Sequence, residues 1–332
     1  MKHINIPIFI PHLGCPNDCA FCNQRSISGK LSFDISSVRR EIEAALSTVT
    51  DASAEIAFFG GSFTGIDRDL MIDLLNIAEE YVKKGSVQSI RLSTRPDYIS
   101  REILDVLKLY SVKTVELGIQ SMDDAVLAAS KRGHTSSDTV KACKLIREYG
   151  FSLVGQMMIG LPGATGESEK NTAKLICEMG AEAARIYPIV VLKNTELEKW
   201  ADNGTYRLLD GDELIERSAD VLEMFRDNNV KVLRVGLHSG EGLTSGEDIA
   251  CGYYHPAMGE LVEGEIYYRR IKKLLQNAQK SSSVTVTVPA GCLSKAIGQK
   301  GRNRERLKRE FDLKIMDFSE DKNTIDITVK QN

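Results

Sequence analysis

The stretch GCPNDCAFCNQ, residues 14–24, carries Cys15, Cys19 and Cys22 in the spacing C-x3-C-x2-C. It follows an apolar run, INIPIFI at 4–10, that reads as a buried strand. Thiolates are soft ligands that suit zinc or iron–sulfur clusters. A structural zinc site normally closes with four protein ligands. Here three thiols are local, no second C-x2-C follows, and His12 is a fourth candidate only three residues before Cys15. A cubane cluster takes four ligands. Three cysteines leave one iron open to a substrate or cofactor, which is what catalysis needs and a structural site avoids.

Working outward, short β-rich runs alternate with helical patterns. AEIAFFGG (54–61), VQSIRLST (87–94), VKTVELGI (112–119), SLVGQMMIG (152–160) and AARIYPIVV (183–191) are strand candidates. Between them lie amphipathic stretches such as SVRREIEAALSTV (37–49) and SDTVKACKLIREYG (137–150). Repeated strand-then-helix units predict an α/β fold with a parallel sheet, either a complete or partial barrel or an open doubly wound sheet. A later strand, KVLRVGL, covers 231–237. The distinctive residues all follow strands: the cysteines, GGSFTG, TRPD, IQS and GLPG. In parallel barrels, chemistry sits at the carboxyl ends, where loops converge.

The formal net charge is -3, unevenly spread. Residues 266–314 hold thirteen Lys or Arg against three Asp or Glu, and the remainder holds 30 against 43. A basic C-terminal end on an acidic body suggests a polyanion partner or a solvated helix face. No apolar run reaches the length of a membrane span, and the first residues lack a signal-peptide pattern, so the expectation is a cytoplasmic protein with reduced thiols. Seven cysteines, four of them scattered (Cys143, Cys177, Cys251, Cys292), argue against a disulfide framework.

C-x3-C-x-aromatic-C after the first strand, with Phe21 as the aromatic, resembles the radical S-adenosylmethionine (radical SAM) superfamily. The resemblance implies a partial, six-stranded TIM-type barrel and a [4Fe–4S] cluster on Cys15, Cys19 and Cys22. It implies S-adenosyl-L-methionine as cofactor, cleaved to a 5'-deoxyadenosyl radical, and an electron donor such as flavodoxin or ferredoxin. FFGGSFTGI resembles the family's glycine pair, so Gly60 and Gly61 would meet the cofactor's amino group. LSTRPDYI, ELGIQS, KRGHT and GQMMIGLPG look like the branch of the elongator catalytic subunit and, more distantly, oxygen-independent coproporphyrinogen dehydrogenase. By that likeness Gln120 and Gln156 would contact the ribose or adenosyl part and Arg132 the carboxylate. Ser93 stands where relatives often carry glutamate. RIYPIVVLKNTELEKW (185–200) makes Arg185, Tyr187 and Lys193 substrate-pocket candidates. The chain differs from that branch in its cysteine spacing and leaves too little sequence after 260 for the acetyltransferase domain found there. No catalytic side chain is assigned.

The barrel is expected over 1–260, and a basic helix with a small α+β domain over 261–332. VTVTVPAGCLSKAIGQKGRNRERLKREFDLKIMDF (284–318) reads as strand, helix, G-x-x-G loop, basic helix and strand. This resembles a KH (K homology) domain, most closely those of bacterial transcription elongation factors, whose loop clamps about four nucleotides of single-stranded nucleic acid. Gly298 and Gly301 let phosphates approach the main chain; Gln299, Lys300, Arg302 and Arg304 would line the strand's path. Cys292 falls in the first of these helices as a core residue.

His134, His238 and His255 are candidate ligands or acid–base groups, though packing or capping is the commoner use; Cys251 reads as a structural thiol. The leading expectation is a radical enzyme that modifies a base in RNA, such as tRNA. The alternatives are a radical enzyme acting on a small molecule or peptide with a structural KH-like part, and a non-enzymatic RNA-binding iron–sulfur protein.

Overall fold

The computed structural model describes residues 2–10, 13–15, 19–23, 33–48, 52–238 and 241–331. The reading of His12 lies outside them. In chain order the larger unit contains β1 (Lys2–Ile10), α1 (Ile35–Leu46), β2 (Ala52–Gly60), α2 (Arg68–Lys83), β3 (Ser89–Thr94), α3 (Arg101–Lys108), β4 (Val112–Gln120), α4 (Asp124–Ala129), α5 (Ser136–Glu148) and β5 (Ser152–Ile159). It continues with α6 (Gly166–Glu178), β6 (Ala183–Pro188), β7 (Val191–Leu192), α7 (Glu196–Asp202), α8 (Gly211–Asp227), β8 (Lys231–Val235), α9 (Glu241–Ser245), β9 (Ile249–Cys251) and α10 (Met258–Leu274).

The main sheet runs β1-β2-β3-β4-β5-β6-β8, with every neighbouring pair parallel. The partial barrel that the family resemblance implies is present, with seven strands in its sheet rather than six. The seventh is KVLRV, which pairs with β6. Its residues are only partly buried, so the run lacks the closed apolar pattern that marks the first six. Helix starts are specified locally. Thr135 and Asp138 form a reciprocal capping box at α5, and Thr165 with Ser168 does so at α6. Ile, Leu and Val from strands and helices fill one continuous core; each such fully buried side chain contributes about 1.5–3 kcal/mol.

The smaller unit has β10 (Ser283–Pro289), α11 (Leu293–Ile297), α12 (Arg302–Glu310), β11 (Ile315–Asp321) and β12 (Thr328–Gln331). Its sheet is β11-β10-β12, parallel on one side of β10 and antiparallel on the other. It has its own core around Val286, Ala296, Leu307 and Met316. Helix α10 serves both cores: Met258, Leu261 and Ile266 face the first, Tyr268 and Ile271 the second. The break expected at 260/261 therefore falls inside a shared helix. Cys292 is the residue at which α11 begins, half-buried against the second core. Among the described residues no helix is long and apolar enough to cross a membrane.

Candidate active site

Two loops at the carboxyl ends of β1 and β2 meet backbone to backbone. Gly61 N–H donates to the Ile10 carbonyl at 2.8 Å, and Ser62 N–H to the Leu13 carbonyl at 3.1 Å. A Cβ on Gly61 would stand 2.0 Å from the Leu13 oxygen, and one on Gly14 2.1 Å from the Ser62 oxygen. Neither fits, so the glycines fix where the cysteine loop begins. Farther on, Ala20 N–H donates to the Ser130 carbonyl at 3.1 Å, and Leu197 N–H to the Ala20 carbonyl at 2.8 Å. The loop is thus tied to the end of α4 and the start of α7.

A cavity of about 330 Å³ opens here, lined by Cys15, Cys19, Cys22, Phe21, Gly60, Gly61, Ser93, Gln120, Arg132, Gln156, Arg185 and Tyr187. The residues predicted for the cluster and the cofactor all reach it. Lys193 does not. It is exposed, with its N–H bonded to the Asp248 carbonyl at 2.9 Å and its own carbonyl to Asn23 at 2.9 Å. A shallower cleft of about 520 Å³ beside β8 and α10 holds none of the thiols.

Arg132 is buried; its Nη1–H donates to the Cys19 sulfur at 3.3 Å and its Nη2–H to the Gly118 carbonyl at 2.7 Å. Burial pushes the Cys15 thiol up, and the charge of Arg132 works against that rise. Gln120 takes a left-handed φ of 66° at the irregularity where β4 leaves β5. That turn carries its side chain to the cavity instead of along the strand. Among the described residues no three His, Cys, Asp or Glu close on a single metal ion. The thiols stand around one end of a cavity instead. Three buried atoms of cavity-lining residues lack a partner among the described residues: Arg95 Nη1, Gln120 Oε1 and Arg132 Nε. Two donors and an acceptor left open beside three thiols fit a cluster carrying a ligand with carboxylate and ribose groups.

Beneath the cavity lies a charge network that the motif reading missed. Glu116 is fully buried on β4 and accepts four hydrogen bonds. They come from Arg91 Nη1 at 2.8 Å, Gln156 Nε2 at 2.9 Å, and Arg185 Nε at 2.8 Å and Nη2 at 3.1 Å. Arg91 also binds Glu55 at 3.0 Å. Burial alone would push the Glu116 carboxyl up; Arg185 and Arg91 reverse this and hold it below the usual range. Gln156 reaches on to Ser93 Oγ at 3.3 Å, and Arg185 lies 5.5 Å over the Phe59 ring. The available signal was a charged residue inside each otherwise apolar strand, in SIRLST and VELGI, where burial demands a partner.

The histidines divide. Burial lowers His134 to about 4, and it does not line the cavity. His255 accepts the Ala257 N–H at Nδ1 and lies 3.0 Å from Gln299 through Nε2. His238 lines the cavity. Cys251 is half-buried on β9, paired with Val191.

The G-x-x-G loop sits against the larger unit. Arg302 binds Asp212 at 2.5 Å, Arg306 binds Glu265 at 2.9 Å, and Asn303 Nδ2 donates to the Gly264 carbonyl at 2.7 Å. Gly298 and Gly301 have φ of 77° and 79°, and Lys300 52°. A Cβ on Gly298 would meet Asn303 at 2.8 Å. Lys300 and Arg304 are exposed; Arg304 meets only Glu305, at 3.4 Å, among ion pairs of the described residues. The last turn of α8 leads within four residues into β8, so its first turn lies about 24 Å away, toward the carboxyl ends of the strands. Asp212 belongs to that first turn, so the loop docks on the side of the sheet where the cavity opens.

The family model of the radical SAM superfamily matches residues 9–176, and that of the radical SAM C-terminal domain matches 181–268. An uncharacterized protein of Methanocaldococcus jannaschii is 32% identical over 235 residues, 67% of this chain and 72% of that one. The tRNA uridine(34) acetyltransferase of the same organism is 37% identical over 129 residues, 38% of this chain but only 24% of its own length. In structure, the Methanocaldococcus infernus Elp3 with an N-terminal deletion aligns with a TM-score of 0.63 at 22% identity, covering 82% of this chain and 63% of that one. Coproporphyrinogen III oxidase (HemN) from Escherichia coli aligns at 0.50 and 17% identity, covering 68% and 53%. These two likenesses concern the fold. Together with the cavity of three cysteines and paired glycines, the matched family establishes the chain as an enzyme of the radical SAM superfamily with elongator-like relatives.

Proposed function

We propose that the chain holds a [4Fe–4S] cluster through Cys15, Cys19 and Cys22, binds S-adenosylmethionine beside it, and modifies a nucleoside in RNA. The observation that carries this is the convergence of three thiols, the glycine pair and unpaired atoms of Gln120 and Arg132 on one cavity, with the G-x-x-G loop docked on the same side of the sheet. When bound, the reduced cluster and S-adenosylmethionine supply a 5'-deoxyadenosyl radical able to take a hydrogen atom or add to a base.

The chain's own residues orient and exclude. Arg132 offers its unpaired Nε–H to a carboxylate while Gly118 holds the guanidinium in place. Gly60 and Gly61 present bare backbone to an amino group. Gln120 and Gln156 face the ribose side. Phe21, Phe59 and Met158 keep water from that end of the cavity. Lys300 and Arg304 attract phosphates along the loop, and one unpaired nucleotide enters the cavity at an unstacking cost of a few kcal/mol. An electron donor such as flavodoxin or ferredoxin, and a cytoplasmic setting, belong to the same reading. The tRNA named in the acetyltransferase relatives supports RNA as substrate class.

The test has two parts. Anaerobically reconstituted protein with dithionite is expected to hold iron and sulfide and to form 5'-deoxyadenosine; tight zinc in place of sulfide would end the reading. RNA from cells lacking the gene is expected to miss one modified nucleoside on mass spectrometry. A second reading, in which the substrate is a small molecule or peptide and the C-terminal unit is structural, draws on the engagement of Gln299 and Arg302 with the larger unit. An unchanged RNA nucleoside profile favours that one.

A further inference from the structure

Among the described residues four arginines line the cavity, and two of them are already neutralised. Arg95 pairs with Asp97 at 2.8 Å, and Arg185 spends both Nε and Nη2 on Glu116. Arg132 and Arg234 have no ion pair among the described residues. Arg132 stands at the thiol end, where Cys19 is its neighbour. Arg234 stands on β8, the strand beyond the six expected ones.

Its direction follows from register. Arg234 is opposite Arg185, Arg185 opposite Gln156, and Gln156 opposite Gly118. Residues paired across strands point to one face, so the four form a row across the inner wall. Arg132 holds the carbonyl at one end of the row; Arg234 is the other end, three strand spacings or roughly 14 Å away along the curved sheet. Tyr187, Leu192 and Leu237 line the same cavity; Arg234 also borders the shallower cleft, where Glu260 and Glu263 stand but, among the described residues, neither is within ion-pair distance of it. A half-buried guanidinium beside apolar groups is costly to keep without a counter-charge. Its planar fork suits two oxygens of a phosphate.

We propose that Arg234 is the substrate-anion receptor of this cavity and takes a phosphate of the nucleotide delivered to it. The inference rests on the RNA reading for the source of that phosphate. The site itself does not, since the unpaired cation and its place opposite the thiols are independent of what the G-x-x-G loop binds.

The test is equilibrium dialysis of the full chain, anaerobically reconstituted and saturated with S-adenosylmethionine, against radiolabelled inorganic phosphate. Wild type is expected to bind it saturably. Arg234→Gln weakens binding about tenfold to a hundredfold, the worth of one charge-assisted contact. Arg234→Lys recovers part of it, which shows that the wall is intact, and Lys300→Glu stays within twofold of wild type. Nucleoside 5'-monophosphates are expected to displace phosphate better than acetate or citrate. No saturable binding, Arg234→Gln within twofold of wild type, or loss on Lys300→Glu alone each overturns the proposal. Loss on Arg234→Gln with carboxylates as the better competitors keeps the receptor and overturns the RNA reading.

Discussion

Arg185 at the barrel mouth and Arg302 at the G-x-x-G loop each bind one carboxylate, yet the two contacts differ in kind. Arg185 meets a fully buried Glu116 that two further donor atoms, Arg91 Nη1 and Gln156 Nε2, also hold, and every member sits on a strand of one sheet. Arg302 meets Asp212 across two units, with 38% and 68% of those side chains exposed. Buried charges in a low-dielectric wall are fixed because removing one strands the rest. Exposed pairs are screened and are worth about 0–1 kcal/mol. The mouth is therefore built as a single object, while the loop is a surface whose charges act nearly independently.

The largest effect that tests the unity of the mouth is Cys15→Ala, Cys19→Ala or Cys22→Ala. Each is expected to remove cluster iron and sulfide and to abolish 5'-deoxyadenosine formation. The circular dichroism spectrum should stay native, because the loop is also held by glycine contacts and by Ser130 and Leu197. A variant that keeps full sulfide would show that its thiol is not a ligand.

Next comes Glu116→Ala. It leaves two buried guanidiniums without their shared carboxylate, a loss of about 3–5 kcal/mol, read as a melting temperature lower by roughly 10 °C. Glu116→Gln keeps the shape and should cost less. The pH dependence follows from the depressed carboxyl. Stability from this group is fully present above the ordinary glutamate range and is lost as pH falls through the lower folded value. Glu116→Gln should flatten acid unfolding of the barrel; an unchanged acid limb would mean that the hub does not couple to it.

Gly61→Ala is expected to have an intermediate effect. The added carbon meets the Leu13 carbonyl, so the cysteine loop must move, at about 1–3 kcal/mol. Equilibrium binding of S-adenosylmethionine should weaken while Gly166→Ala, a helical position where the nearest atom to the added carbon is 4.0 Å away, leaves it unchanged.

What the sequence disclosed follows the same division. The cysteines stood out by their spacing, and the glycine pair, Gln120, Arg132, Gln156, Arg185 and Tyr187 by the likeness of their motifs to the family; chain order puts those motifs at strand ends around one mouth. Glu116 and Arg91 were not legible, because their importance lies in cross-strand partners, and register between non-adjacent segments is not written locally. Lys193 was taken from its motif, but β7 pairs with β9 just before it and the chain turns outward there. The seventh strand was visible as a run, but its membership in the sheet was not.

The smallest effect tests the independence of the loop. If Lys300 and Arg304 each meet a phosphate of single-stranded RNA, Lys300→Ala with Arg304→Ala removes two counterion-releasing contacts. The slope of log affinity against log salt should then fall in magnitude by about 1.4. Arg302→Ala should leave that slope unchanged, since its guanidinium faces Asp212, and should loosen the contact between units by at most about 1 kcal/mol. Equal slopes for the double variant and wild type would remove the loop from RNA contact. A drop of about 0.7 for Arg302→Ala would mean that the Asp212 pair opens when RNA arrives, which would make the contact between the two units a competitor of the RNA rather than a mount for it.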